Sequence, residues 1–169
     1  MPALHFDTVT AANVYLNDAS LYGKAQEISG LSLNMVMKDI NPIGMYAKKR
    51  VPVGVDNLEL DITWDFINED CINPFELHNW TIYGNVVRTE DGTSRELSAV
   101  IELKGRIIEN DVIGTLKGQD WSGQKTKLAL DYVLVKHDGK EIIKIDVDNN
   151  IFEINGEDQL STAKVNAAL

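Results

Sequence analysis

Cysteine is almost missing from this sequence, because Cys71 is the single example in 169 residues. One thiol excludes an internal disulfide framework and any zinc site built from several cysteines. Basic residues are also scarce, with 16 Lys and Arg against 26 Asp and Glu and a net charge of -10. A nucleic-acid-binding module needs a basic face that neutralises phosphates, so this balance argues against that class.

Long hydrophobic runs are missing as well. The longest apolar stretches, such as Leu97–Leu103, are interrupted by charge and far too short to cross a bilayer. The first ten residues lack the basic and apolar regions of a secretory signal, so we expect a soluble protein made without export. The length and the 44% hydrophobic content are typical of a single folded domain over residues 1–169.

Apolar and polar residues alternate along much of the chain, which is the period of a half-buried β-strand. Leu58–Trp64 alternates without a break, and Leu31–Lys38, Ala99–Ile107 and Lys127–Val135 do so nearly as well. Shorter strands are predicted at Asn13–Leu16, Thr81–Thr89, Glu141–Val147 and Ile151–Asn155. The sequence therefore predicts a mainly β protein, an antiparallel β-sandwich or barrel.

Tight turns separate several of these strands. Asp91–Gly92 and Asp138–Gly139 are residue pairs favoured in two-residue hairpins, and Asn155–Gly156 supplies another sharp turn. We therefore expect neighbouring strands in the sequence to pair as hairpins.

One short flanking α-helix is predicted over Asn73–His78. Asn73 is a suitable N-cap and Pro74 suits the first helical position. Two stretches, Asp39–Asn57 and Glu109–Gln124, show no clear period and are predicted to be irregular. Loops of this length in compact domains are usually functional or disordered.

A sequence near the C-terminus partly matches the calcium-binding loop of an EF-hand. Asp146, Asp148, Asn150 and Glu157 fall at ligand positions, but Ile151 stands where the sharp turn requires glycine. Both flanks have the period of strands rather than helices. The pattern favours a solvated turn between strands over a calcium site.

The motifs that would indicate an enzyme are also incomplete. Gly118–Thr126 is one inserted residue away from a P-loop, and a strand follows it where phosphate binding requires a helix. His5, His78 and His137 stand in unrelated contexts, which indicates neither a metal cluster nor a triad. Cys71 is predicted to be a buried structural thiol. We therefore expect no catalysis, no bound metal and no cofactor.

The C-terminal quarter resembles a known family. Leu134–Asp146 resembles the penultimate hairpin of the major tail tube proteins of contractile-tailed bacteriophages and R-type bacteriocins, and Ile154–Leu160 resembles their closing segment. Asn13–Asp18 is similar to the opening strand and turn of the family. Gly44–Met45 and Pro52–Val55 precede Leu58–Trp64 in the order that the family shows. The resemblance covers nearly the whole chain.

This resemblance implies a structural function. In the family, six copies form a ring, each copy contributes four strands to a continuous inner barrel, and rings stack into a hollow tube inside a contractile sheath. DNA passes through the tube of a phage without specific binding, whereas a bacteriocin tube punctures a membrane. The implied partners are further copies of the chain, a sheath protein, a baseplate or tube initiator and a tape-measure protein. The implied location is a virion tail or bacteriocin particle, produced in the host bacterial cytoplasm, with no membrane insertion by this chain.

Strand geometry is compatible with such a conduit. About 24 strands spaced by about 4.8 Å give a circumference near 115 Å and a backbone diameter of roughly 37 Å. A duplex about 20 Å wide fits within that bore once side chains are allowed for.

The alternating strands supply candidate residues for the wall of the tube. The polar positions predicted to face the lumen are Glu59, Asp61, Glu102, Lys104, Arg106, Lys127 and Asp131. With Lys38 included, the polar faces carry four acidic and four basic residues, so the tally leaves the sign of the lumen charge open. Contacts between rings are assigned to the long inter-subunit loop at about 39–57 and to a C-terminal arm at about 157–169. The candidate ring–ring residues in the loop are Gly44, Met45, Lys48, Lys49 and Arg50.

Two alternatives are compatible with the same pattern. A type VI secretion-like tube protein would share the architecture. A monomeric ligand-binding β-sandwich would require a clustered aromatic platform, whereas Trp64, Trp80 and Trp121 are scattered over unrelated segments.

Overall fold

The computed structural model describes residues 5–41, 43–44, 46–90, 92–118 and 120–161. Within these ranges the chain forms fourteen strands and one short 3-10 helix, η1 (Glu69–Cys71). The strands are β1 (His5–Leu16), β2 (Ala19–Ser20), β3 (Ala25–Ser29), β4 (Met35–Ile40), β5 (Lys49–Val55), β6 (Glu59–Trp64), β7 (His78–Glu90), β8 (Thr93–Asp111), β9 (Thr115–Lys117), β10 (Asp120–Ser122), β11 (Lys125–His137), β12 (Lys140–Asp146), β13 (Ile151–Ile154) and β14 (Glu157–Asp158). Among the described residues no helix is long and apolar enough to traverse a bilayer.

Two long strands, β8 and β11, organise the sheets. The main sheet runs in the order β14-β13-β12-β11-β8-β7-β1-β2, with all neighbours antiparallel. One edge of β11 pairs with β8 along most of its length. The opposite edge of β11 pairs with β6 along residues 125–129 and with β12 along residues 132–137. The change of partner coincides with a bulge between Leu130 and Tyr132, where β11 bends. Because β6 also pairs with β3, β11 and β8 belong to two sheets, and the predicted antiparallel β-sandwich is confirmed.

The core lies between these sheets and takes alternate residues from the central strands. Leu60, Ile62 and Trp64 of β6 are buried, while the intervening residues are exposed or half-buried. The rings of Trp64 and Trp80 lie 6.2 Å apart in the core, and Leu128 is fully buried beside them. The alternation of the sequence thus places one face of each strand inside and leaves the other polar.

The predicted hairpin turns are confirmed. Asp138 and Gly139 join β11 to β12 with φ angles of 51° and 76°, and Asn155 and Gly156 join β13 to β14 with 52° and 82°. Two successive positive φ angles define the type I′ turn, whose twist matches that of the flanking strands. Gly92 turns β7 into β8 with a φ of 78°.

The helix predicted over Asn73–His78 is wrong. Asn73 caps a turn, because its Oδ1 accepts the backbone N–H of Phe75 at 3.1 Å, and Phe75 is 89% exposed. A helix of six residues is unstable without an apolar face packed on the core. The short helix forms earlier, as η1, where Asn68 Oδ1 accepts the N–H of Asp70.

The two stretches predicted as irregular are also corrected. Residues 39–57 contain β5, which pairs with β4 from Met35↔Val55 to Ile40↔Lys49. In residues 109–124, β8 continues to Asp111 and β9 pairs with β10. Both excursions are hairpins.

These hairpins leave opposite ends of one four-stranded unit, β3-β6-β11-β8. The β4–β5 hairpin follows β3 and precedes β6, so it leaves from the end at which Ser29 and Glu59 lie. We call residues 35–55 the arm, and this end the arm end. The β9–β10 hairpin follows Asp111 and precedes Lys125, at the opposite, far end.

Candidate assembly surfaces

The outward face of the four-stranded unit is a regular array of polar side chains. Residues on neighbouring strands form three rows across it: Arg106, Ala129 and Glu59; Glu109, Lys127, Asp61 and Ser29; and Asp111, Lys125, Thr63 and Glu27. All of them are exposed or half-buried, whereas the alternate positions of β6 and β11 are buried. We call these eleven residues the polar face.

Lys127 occupies the centre of the polar face. It lies directly between Asp61 and Glu109, and its Nζ is 2.7 Å from a carboxylate oxygen of Glu59. The hydrogen bond to Glu59 raises the pKa of Lys127, and the charges of Glu59, Asp61 and Glu109 act in the same direction. The central cation is therefore held within the face by its own neighbours.

Acidic residues outnumber basic ones on this face. The acidic residues are Glu27, Glu59, Asp61, Glu109 and Asp111, and the basic residues are Arg106, Lys125 and Lys127. Four of the eight, namely Glu27, Glu109, Asp111 and Lys125, are not among the lumen residues predicted from the sequence. A bulge at Ile107–Glu109 shifts the alternation of β8, and continuing the pattern across that shift would have found two of them.

The seven residues predicted to face the lumen divide into two groups. Glu59, Asp61, Arg106 and Lys127 belong to the polar face. Glu102, Lys104 and Asp131 lie beyond the bulge of β11, along an open groove of about 540 Å³ that Asp146 and Asp148 also line. Glu102 is paired there with Lys136, at 2.9 Å.

The four-stranded unit has open edges on both sides within the described chain. β3 pairs only with β6, and residues 106–111 of β8 pair only with β11, because β7 ends its pairing at Gly105. Ile108, on the second edge, is 54% exposed. Unpaired strand edges are templates for the addition of another strand.

The arm forms a separate two-stranded sheet and exposes apolar side chains. Met35, Met37 and Val53 are about half exposed, and Tyr46 at the tip is fully exposed. Monomeric proteins rarely expose such a cluster, which is typical of an interaction surface. Of the candidate ring–ring residues, Gly44, Lys48, Lys49 and Arg50 lie in the arm, and Met45 lies outside the described residues. Arg50 contacts Asp39 of the arm at 3.1 Å, with both side chains largely exposed.

The predicted C-terminal arm is described only at its start. Glu157–Asp158 forms β14, which pairs with β13 in the main sheet. Residues 162–169 lie outside the described residues.

A buried polar network holds the segment after β6. Gln124 is completely buried; its Oε1 accepts the N–H of Asn68 at 2.7 Å, and its Nε2 donates to Asn110 Oδ1 at 2.8 Å and to the carbonyl of Cys71 at 3.3 Å. Asn110 also donates to that carbonyl, at 2.9 Å. The network fixes η1 against the far end of the sandwich.

Cys71 is buried, as predicted. Its thiol is fully shielded, and burial together with the charge of Asp70 raises its pKa to about 12. A neutral buried thiol is a poor nucleophile, because the thiolate is the reactive form.

The EF-hand-like sequence and the P-loop-like sequence both form connections between strands. Asp146 accepts hydrogen bonds from the backbone and side chain of Asn149, at 3.0 and 2.7 Å, within the turn between β12 and β13. Gly118 has a φ of 62° and follows β9, and β11 begins at Lys125 where a P-loop would require a helix.

Comparison with known proteins identifies the family of this chain. A family model described as phage tail tube protein FII matches residues 7–167. The chain belongs to that family. It is also similar to the tail tube protein of Escherichia phage P2, with 27% identity over 165 residues, covering 93% of this chain and 94% of that protein.

Comparison with solved structures gives two matches to this chain. One is a chain of the sheath–tube complex of the extracellular contractile injection system PVC in its extended state, with a TM-score of 0.50 and 16% identity over 74% of this chain and 87% of that chain. The other is from the sheath/tube terminator of PVC, with a TM-score of 0.49 and 15% identity over 74% and 92%. The tail tube family is structural rather than enzymatic, and its members are parts of a virion tail or particle.

Proposed function

We propose that six copies of the chain close into a ring through the open edges of the four-stranded unit. Strand directions alternate across β3, β6, β11 and β8, so β8 of one copy lies antiparallel to β3 of the next. Each junction therefore continues the same pattern, and closure removes both exposed edges. The two open edges are the observation that carries this proposal.

Rings stack through the arm into a hollow tube of a contractile injection apparatus. The arm pairs with no other strand of the described chain, contacts the core at its base through Val55, and exposes apolar residues at the end where a following ring would lie. The sheath, the baseplate or tube initiator and the tape-measure protein are the partners implied by the family. A single domain spans residues 1–169 in this assembly.

The polar face lines the lumen, where cargo slides without binding. Its five carboxylates outnumber its three basic residues, and the central Lys127 is ion-paired. DNA binding requires cations that displace the counterions of phosphates, and this face offers few. The bore is thus suited to DNA passage in a phage or to puncture of a membrane by a bacteriocin-like particle.

Electron microscopy and light scattering of the purified protein test ring formation. Six chains of 18.8 kDa give a ring of about 113 kDa, and negative stain should show rings or hollow tubes with six-fold symmetry. Ile108→Lys should abolish rings and leave the far-ultraviolet circular dichroism unchanged, because it adds a charge to the open edge of β8. Val9→Lys is the matched control, since Val9 is similarly exposed but lies on β1. Rings in the Ile108→Lys variant would contradict the edge assignment.

A type VI secretion-like tube protein would share this architecture. Rings or tubes in the micrographs would therefore support a phage or bacteriocin tube and a type VI secretion-like tube equally. The monomeric ligand-binding sandwich is not favoured. Trp64 and Trp80 are buried in the core, so neither contributes to an exposed aromatic platform.

A further inference from the structure

A second apolar surface lies on the segment that joins the far end of β6 to the start of β7. Residues 65–77 follow β6, and Ile72, Phe75 and Leu77 of this segment are exposed. The same thirteen residues contain four carboxylates and no lysine or arginine. We call residues 65–77 the acidic segment.

The arm has the complementary character. It contains Lys38, Lys48, Lys49 and Arg50 against a single carboxylate, Asp39, and it exposes apolar residues on both strands. Its net charge is therefore opposite to that of the acidic segment, within a protein that is strongly acidic as a whole. Complementary charge around apolar contacts is the usual composition of a specific interface.

Strand polarity places the arm and the first half of the acidic segment at opposite ends of one copy. The arm leaves from the arm end, beside Ser29 and Glu59, whereas the acidic segment begins after Trp64 at the far end, where η1 is held, and then runs back to His78, which pairs with Gly105. The paired part of the arm has six residues in β4, about 20 Å, which matches the length of the six-residue β6. The arm thus leaves its copy at the end opposite to η1, and it is long enough to contact η1 of a copy stacked on that end.

We propose that the arm of one copy docks on the acidic segment of a second copy in the adjacent ring. This inference rests on the proposed stacking of rings and names the surface that receives the arm. The contact joins two different patches and is heterologous, so translation along the axis repeats it without closure. Such a contact gives the stack a direction.

The acidic segment is held in place for this role. The Gln124 network fixes η1, and His78 Nε2 lies 3.2 Å from the carbonyl of Asn73 at the other end of the segment. A receiving surface that is ordered before docking loses less conformational entropy on binding.

Charge reversal tests the contact. Lys48→Glu/Lys49→Glu and, separately, Glu69→Lys/Glu76→Lys should each form normal rings but raise the critical concentration for tubes by about tenfold or more at ~0.1 M salt. All four side chains are exposed, so folding should be preserved. The combined variant, with all four changes in one chain, should recover part of the stacking, because the changed pair on the arm and the changed pair on the acidic segment again carry opposite charges.

Conservative variants serve as controls. Lys48→Arg/Lys49→Arg and Glu69→Asp/Glu76→Asp keep the charges and should assemble as the wild type does. At 1 M salt the Debye length falls to about 3 Å, so the defect of both reversal variants should shrink. Phe75→Ser should weaken stacking at either salt concentration.

The outcomes separate this inference from ring formation. Rings without tubes in both reversal variants, with tubes recovered in the combined variant, support the contact. Tubes of normal length in either reversal variant, or no recovery in the combined one, overturn it while leaving rings and stacking intact. A wild-type protein that remains monomeric at every concentration overturns the proposed function and the inference together.

Discussion

Replacing Gln124 with leucine tests whether the buried polar network holds the far end of the protein. The two side chains are similar in volume, so the variant removes hydrogen bonds rather than packing. The amide of Gln124 is completely buried and bonds to Asn68, Cys71 and Asn110. No solvent replaces these partners in the native state.

The expected loss follows from the groups left behind. The N–H of Asn68 loses its 2.7 Å acceptor, and Asn110 Oδ1 loses its 2.8 Å donor, whereas the carbonyl of Cys71 keeps the bond from Asn110. A buried polar group left without a partner costs about 1–3 kcal/mol. Only the N–H of Asn68 is left without its acceptor, since half-buried Asn110 keeps a 3.5 Å contact from Thr126 Oγ1 to its Oδ1, so the free energy of unfolding should fall by about 1–3 kcal/mol.

Urea denaturation of the monomer, followed by tryptophan fluorescence, measures this loss. Trp64 reports on the site, since its Nε1 donates to Thr126 Oγ1 at 2.9 Å beside the network. Thr126→Val is the companion variant, and the double variant should be less destabilised than the sum, because the two side chains share partners. A change below about 0.5 kcal/mol for Gln124→Leu, with an unchanged m-value, would refute the reasoning.

Three further predictions concern separate parts of the molecule. Deleting residues 43–51 should leave a folded monomer by circular dichroism but abolish tubes in electron micrographs, because the arm pairs with no other strand of the described chain and its core contact, Val55, lies outside the deletion; normal tubes would contradict the assignment of the arm. Cys71 should not react with a thiol reagent at pH 8 until the protein unfolds, given its pKa of about 12; equal rates with and without urea would contradict the burial. Asp146 should titrate below its ordinary pKa by NMR, because Asn149 stabilises the carboxylate, so its contribution to stability is present above the unfolded pKa and lost as pH falls through the folded pKa. In Asn149→Ala the pKa should rise towards its usual value, and an unshifted resonance would count against that hydrogen bond.

Strand alternation and turn pairs were sufficient to predict the sandwich. Leu58–Trp64 and Lys127–Val135 form central strands, since one buried face forces the period of two that the sequence shows. The sequence does not predict β5, because Pro52 and Gly54 are unfavourable within strands and five of its seven residues are exposed.

The candidate surfaces were harder to predict for a related reason. Partner choice depends on strand pairing distant in sequence: Lys127 meets Asp61 and Glu109 only after β11 has folded between β6 and β8. Gln124 carries no local signal of burial, since a polar residue before a strand ordinarily faces solvent. Its role emerges only when the segment around η1 closes over it.

In the proposed assembly, the distribution of open surfaces allows one chain to build both a ring and a directional stack. Lateral closure requires two unlike strand edges that continue one antiparallel order, and β3 and residues 106–111 of β8 meet that requirement. Axial growth requires two different surfaces that bind each other between successive rings without closing the stack. In the proposed assembly the basic arm and the acidic segment are these surfaces. Because the edges lie across the strands and the end surfaces along them, the two contacts are nearly perpendicular and can be disrupted separately. A variant at Ile108 should therefore lose rings and tubes together, whereas a variant at Lys48 and Lys49 should lose tubes alone.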